Sequence, residues 1–149
     1  MLSTTCDVSF GSKLDASTDG RRAGLPISYG TSPSHGADRH GPTVACRSPT
    51  KMAQLKTSGT LLNQRFLPQG LPSETGLEGL MHLIRDYFRL GGHHIQFNVV
   101  DDAILRDAQP RPANYRDLLV RVTGYSDCFV DLGRDLQAET ISRKAQVDW

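Results

Sequence analysis

The hydrophobic and polar positions become regular only in the second half of the chain. Leu77, Leu80, Met81, Ile84, Tyr87 and Phe88 recur at i, i+3, i+4, i+7, i+10 and i+11. That is one apolar stripe, and it predicts a helix from about Gly76 to Leu90. Thr75 and Glu78 read as a T-x-x-E capping box at its start, and Gly91 as the cap at its end. Ile95, Phe97 and Val99 then alternate with Gln96 and Asn98, which predicts a half-buried strand over Ile95–Val100. The alternation sets Gln96 and Asn98 on the opposite face, where they either hydrogen-bond to neighbouring loops or meet solvent. Asp101 and Asp102 can cap a short helix carrying Ile104, Leu105 and Ala108, which Pro110 and Pro112 end. Leu118–Val122 is an apolar run crossed by Arg121, the pattern of a mostly buried strand. It stops at Gly124, between Thr123 and Tyr125-Ser126, and a helical pattern follows through Phe129, Val130, Leu132, Leu136 and Ile141.

Residues 1–60 carry neither period. Thr18–Gly24 and Ser32–Thr43 are dense in turn residues and read as loops. The predicted order is loops, helix, strand, helix, strand, glycine loop, helix, a mixed α and β arrangement without internal repeats.

Composition adds exclusions. With 149 residues, 38% apolar content and a mean hydropathy of −0.38, one modest core is expected. The net charge of +1 points to neither nucleic acid nor an anionic membrane as partner. Residues 1–65 hold 8 basic and 4 acidic side chains, and the remainder 9 and 12, a mild split without a binding tail. No run is long enough to span a bilayer, and the N-terminus lacks a basic-then-apolar leader pattern. Cys6, Cys46 and Cys128 are odd in number and widely spaced, which argues against a disulfide scaffold and fits a reducing cytoplasm. His35, His40, His82, His93 and His94 include no i,i+4 pair, and no Cys or carboxylate completes a ligand set, so no metal site is expected.

Gly124 admits two readings. Glycine at the end of a buried strand commonly serves a turn with positive φ or a close backbone approach. The residues around it suggest more. Arg121-Val122-x-Gly124-Tyr125-Ser126, preceded by Gly91-Gly92-His93-His94-Ile95-Gln96-Phe97-Asn98-Val99-Val100, resembles the C-terminal signature of glycyl radical enzymes, the pyruvate formate-lyase and glycerol dehydratase superfamily. Upstream, Asp19-Gly20-Arg21, a later Ser-Pro, Gly41-Pro42-Thr43 and Gly59–Phe66 continue the resemblance, which covers roughly residues 9–145. Met1–Phe10 resembles nothing in the family and is expected to mark a fragment.

The resemblance implies an α/β fold, the C-terminal portion of a ten-stranded α/β barrel, with a loop-rich segment at 1–60 before a glycine radical domain at 61–149. It implies that Gly124 loses a Cα hydrogen and stores an unpaired electron, with Arg121, Val122, Tyr125 and Ser126 shaping its loop. Glycine suits that role because a Cβ would crowd the planar radical centre, and a buried loop would keep it dry. The radical is installed by an S-adenosylmethionine-dependent 4Fe–4S activating enzyme, and no cofactor is bound. The family's working oxidant is a thiyl cysteine in an upstream loop, which none of Cys6, Cys46 and Cys128 matches; the expected partners are therefore the activating enzyme and the body of a glycyl radical enzyme, without which the chain should not turn over. The alternative is an inactive C-terminal fragment of a truncated or split lyase gene. Thr123, where Ser, Ala or Cys is more usual, and Leu119, where a β-branched residue is common, are mild departures that bear on subfamily.

Overall fold

The computed structural model describes residues 6–57 and 60–147. Gly59 and the first half of Met1–Phe10, Met1–Thr5, lie outside them. The elements are α1 (Asp7–Gly11), α2 (Gly41–Arg47), β1 (Leu61–Phe66), α3 (Glu74–Arg89), β2 (His94–Val99), α4 (Asp102–Ala108), β3 (Leu119–Arg121), β4 (Ser126–Cys128) and α5 (Arg134–Ser142). Short 3-10 turns fill several connections, one of them at Phe129–Asp131 between β4 and α5.

β1 and β2 pair in parallel with Leu62 opposite Ile95, Gln64 opposite Phe97 and Phe66 opposite Val99. Side chains alternate across a strand, so Leu62, Phe66, Ile95 and Phe97 share one face. That face meets α2 and α3 in a core of Cys46, Leu62, Phe66, Leu83 and Tyr87, with Phe66 and Phe97 rings 5.9 Å apart. The opposite face holds Asn63, Arg65, Gln96 and Asn98, all buried. It is a polar face turned inward, towards the segment carrying β3, β4 and α5. A second core lies there, built from Val100, Leu105, Ala108, Val120, Val122, Phe129, Leu132 and Ile141.

Polar groups on the inward face reach long-range partners, although Asn63 Nδ2, Arg65 Nε and Gln96 Oε1 have none among the described residues. Gln96 donates to Asn63 across the sheet. Arg65, 3% exposed, pairs with Asp102 at the start of α4 and donates to the carbonyls of Thr140, Ile141 and Arg143 at 3.2, 3.2 and 3.0 Å. One guanidinium thus closes the carbonyl end of α5, where the orphan carbonyls of a helix need donors, and ties it to a carboxylate in the first turn of α4.

Several sequence expectations change. β1 is reached from the sequence only through the resemblance, because Asn63-Gln64-Arg65 is a run of three polar residues in a fully buried strand. α2 lies in the stretch read as loops, entered through Pro42 in its first turn. Residues before 60 are tied to β1: Thr31 N–H donates to Leu61 O at 2.8 Å, and Asn63 N–H donates to Ser32 Oγ at 2.9 Å. The predicted helix is α3, but Ser73 caps it by accepting from Gly76 N–H at 3.0 Å, two residues before the Thr75 of the expected box. The stripe is also rotated. Leu83 and Tyr87 are buried, whereas Leu77, Met81 and Phe88 are exposed. α4 follows the expectation, with Asp101 accepting from Ala103 N–H at 2.8 Å. The strand expected over Leu118–Val122 is the shorter β3, and β4 was not foreseen.

Candidate functional site

β3 and β4 form an antiparallel hairpin with Leu119 opposite Cys128, Val120 opposite Asp127 and Arg121 opposite Ser126. Phe129 N–H donates to Leu118 O at 2.8 Å at the base, and Val122 N–H donates to Tyr125 O at 2.9 Å at the top. Thr123 and Gly124 are left as the two-residue tip. Gly124 has φ +81°, the left-handed conformation that type II turns place at the second central position and that glycine adopts without cost.

The hairpin is anchored below and bare above. Val120, Val122 and Phe129 are at most 1% exposed, and Thr123 is buried as well. Gly124, Tyr125 and Ser126 are exposed. A Cβ built on Gly124 would have no atom within 4 Å. The buried loop expected from the sequence is therefore replaced by an exposed tip on a buried root: among the described residues no element packs over the glycine. Steric crowding from neighbours does not select glycine here; the positive φ does.

The structure gathers all five site residues named from the sequence into this hairpin. Arg121 donates through its guanidinium to Ser126 Oγ at 3.2 Å, linking the two strands across the tip. Antiparallel pairing makes successive residues turn their backbone groups to opposite edges. Val122 faces β4, so Arg121 faces away from it, and there it meets Asn98 of β2. Asn98 Nδ2 donates to Arg121 O at 2.7 Å, and Arg121 N–H donates to Asn98 Oδ1 at 2.7 Å. Of the two roles open to Gln96 and Asn98, hydrogen bonding rather than solvation is the one the fold uses; both are buried.

A buried charged cluster lies behind the hairpin. Arg143 donates to Glu139 Oε1 at 2.8 Å, stands 2.6 Å from its other oxygen, and stacks 3.8 Å over the Tyr29 ring. Its guanidinium also reaches Val122 O at 3.5 Å. His35 Nε2 lies 3.4 Å from Glu139. Burial pushes the Glu139 carboxyl up, but hydrogen bonds from His35 and Arg143 outweigh it and hold the group below its ordinary value. Asp7 is 1% exposed, and neither carboxylate oxygen finds a hydrogen-bond partner among the described residues. Desolvation first, and the Glu139 charge second, push its carboxyl up. Nothing in the sequence pattern marked Asp7, Glu139 or Arg143; Glu139 and Arg143 are i,i+4 on α5 and pass for a surface pair until their burial is seen.

Cys46 and Cys128 are poor thiolates. Burial pushes Cys46 up to about 12, and burial with the carboxylates of Asp131, Asp127 and Asp117 raises Cys128. Asp127, Cys128 and Asp131 place ligand atoms within 4.8 Å of one another, the one such group among the described residues, and it includes none of the histidines. No described helix is long and apolar enough to cross a membrane.

An exposed glycine at positive φ on a buried hairpin root, held from behind by an inward polar sheet face, fits the signature around Gly124. The chain matches the glycine radical family over residues 27–130, and it belongs to that family. It is 51% identical over 146 residues to trans-4-hydroxy-L-proline dehydratase of Clostridioides difficile, covering 98% of this chain and 18% of that protein. Among solved structures, hydroxyproline dehydratase from Clostridioides difficile, with trans-4-hydroxy-L-proline bound, superposes with a TM-score of 0.90 at 49% identity, over 95% of this chain and 18% of the other. The B12-independent glycerol dehydratase from Clostridium butyricum gives 0.92 at 47% identity, over 95% and 18%. The fold is thus the mixed helix and strand C-terminal region of a glycyl radical enzyme barrel, and the chain spans about a fifth of those relatives' length. The match over 98% of the chain corrects one expectation, since it leaves no room for a wholly foreign Met1–Phe10.

Proposed function

We propose that this chain is the radical-storing part of a glycyl radical enzyme, with Gly124 as the residue that carries the unpaired electron. A radical S-adenosylmethionine enzyme takes one hydrogen atom from the Gly124 Cα, and the centre left behind flattens between its two peptide groups. The carrying observation is the placement of Gly124: the direction an L residue would fill with Cβ is open, so a Cα hydrogen there is within reach of an activating enzyme. Arg121 and Ser126 brace the tip across the hairpin, Val122 roots it in the core, and Tyr125 flanks the glycine on the exposed side.

The thiyl cysteine and the substrate pocket belong, on this reading, to a glycyl radical enzyme body that docks over the tip. That body would enclose the loop which this chain leaves bare, and the reaction would be a lyase, dehydratase or decarboxylase step in the cytoplasm under anaerobic conditions. Residues 61–149 are the radical-bearing part, and 1–60 brace it through β1. The test is anaerobic incubation with a radical S-adenosylmethionine activating enzyme, read by EPR. A glycine-centred doublet, absent from the Gly124→Ala variant, is expected. A doublet that survives Gly124→Ala, or no signal from the wild-type chain alone or docked on a body, sinks the assignment; the chain is then the inactive remnant of a split or truncated lyase.

A further inference from the structure

The free edge of β3 has no strand beside it, yet its backbone is paired. The Asn98 side chain stands where a neighbouring strand would stand, giving a hydrogen to Arg121 O and taking one from Arg121 N–H, both at 2.7 Å. A primary amide is the side-chain group that reproduces a peptide's donor and acceptor side by side. We infer that Asn98 is a positioning residue for the glycine loop: it fixes the backbone of Arg121, three residues before Gly124, and so sets where the tip stands above the core. The significance for chemistry rests on the radical reading of Gly124, whereas the clamp itself does not.

Three features make the clamp selective. Asn98 is 7% exposed, so water does not compete for the pairing. Its own backbone belongs to β2, whose parallel pairing with β1 runs through six residue pairs, so the amide is carried on a regular element. The same face holds Gln96 on Asn63 and Arg65 on the end of α5, so the amide projects from a buried face whose neighbouring side chains are themselves hydrogen-bonded in place. The other contact on this part of the hairpin, Arg143 to Val122 O, is longer at 3.5 Å and leaves Arg121 untouched.

Packing and hydrogen bonding predict opposite orders for two substitutions. Leucine nearly copies the shape of asparagine but offers no polar group. Aspartate still accepts from Arg121 N–H but has no hydrogen for Arg121 O, and it brings a charge beside Arg65 and Arg121. The experiment is residue-resolved hydrogen exchange by NMR on the full chain. In wild type the Arg121 N–H and one Asn98 side-chain N–H should exchange slowly. Losing both bonds in Asn98→Leu should speed Arg121 exchange on the order of 10- to 100-fold, while Leu62 and Phe66 in β1 stay protected. Asn98→Asp should keep more protection at Arg121 than the leucine variant. Free exchange of Arg121 in wild type overturns the clamp. So does retained protection in Asn98→Leu, or a leucine variant better protected than the aspartate one, since those mark a packing role. The wild-type amides decide the question even if both variants fail to fold. EPR after anaerobic activation separates the two readings: a wild-type doublet that falls severalfold in Asn98→Leu supports positioning for radical storage, and an undiminished one overturns it. A wild-type chain without a doublet removes the radical reading and leaves the exchange result to judge the clamp.

Discussion

Replacing Gly124 by alanine separates the two reasons a chain can need glycine at one position. The first is conformational: φ is +81°, and an L residue held there costs about 1–2 kcal/mol. The second is space, and here it costs nothing, because no atom lies within 4 Å of the added Cβ. Gly124→Ala should therefore lower stability by about 1 kcal/mol, a fall in Tm of about 2–4 °C for a chain of this size. Hydrogen exchange should quicken at Tyr125–Cys128 and not in β1. Gly30→Ala is the contrast. Gly30 shares the positive φ, at +61°, but its Cβ would stand 2.3 Å from Leu61 O, backbone that cannot swing aside. That variant should lose about 3 kcal/mol or more and loosen the start of β1. Calorimetry and denaturant melts of the three proteins give the comparison. If Gly124→Ala proves as damaging as Gly30→Ala, the hairpin tip is packed in a way the open geometry denies, and glycine is there for the fold. A mild loss of stability together with complete loss of the EPR doublet is the outcome that ties Gly124 to chemistry.

Other outcomes follow from the surroundings. Changing Cys6, Cys46 and Cys128 to serine should leave turnover of a reconstituted complex largely intact, since Cys46 and Cys128 are held as thiols; loss of turnover from Cys128→Ser alone would refute this. Arg143→Met leaves Glu139 buried without its ion-pair partner and should cost about 3–5 kcal/mol by chemical denaturation, whereas an exposed-pair value below 1 kcal/mol would deny the burial. Asp7 has its folded pKa raised, so the folded chain binds a proton that the unfolded chain has already released, and stability falls as pH rises from the unfolded value through the folded one. Asp7→Asn should remove that slope and raise the melting midpoint at neutral pH, with little change in strong acid; an unchanged pH profile would show Asp7 solvated. The chain without a body should self-associate through Leu77, Met81 and Phe88 on α3 and Leu119 and Tyr125 on the hairpin, all exposed, and a strictly monomeric sedimentation profile at high concentration would count against it.

The sequence made legible what rests on one face and one period. α3, β2, α4 and the strand before Gly124 each carry their own signal, and Asp101 announces its cap. The glycine itself was legible through its flanking residues. What escaped is set by contacts between distant segments. β1 buries Asn63, Gln64 and Arg65, a polar run that reads as loop until β2 and α5 supply partners. α3 turns Leu83 inward and Leu77 outward because α2 and the sheet cover one side of it, a choice that a stripe spanning Leu77 to Phe88 leaves open. Asn98 was placed on the correct face, but alternation alone cannot tell a solvated amide from one that clamps a backbone.

Radical storage, as proposed for Gly124, would ask two opposed things of one loop. The glycine would have to be open to the enzyme that removes its hydrogen, and afterwards sit at a fixed point inside a second protein surface. A loop held by its own apolar tip could satisfy the second demand only by hiding the glycine, because the same burial would block access. In this chain the fixing groups are all on the root side: Asn98 on the Arg121 backbone, Arg143 reaching Val122 O, Val122 and Phe129 in the core. None of them touches Gly124. Polar clamps suit this better than apolar ones, since a hydrogen bond to the backbone fixes direction as well as depth, while apolar contact is non-directional. The inward polar face of the sheet, costly as an ordinary core, gives the tip a defined position without covering it.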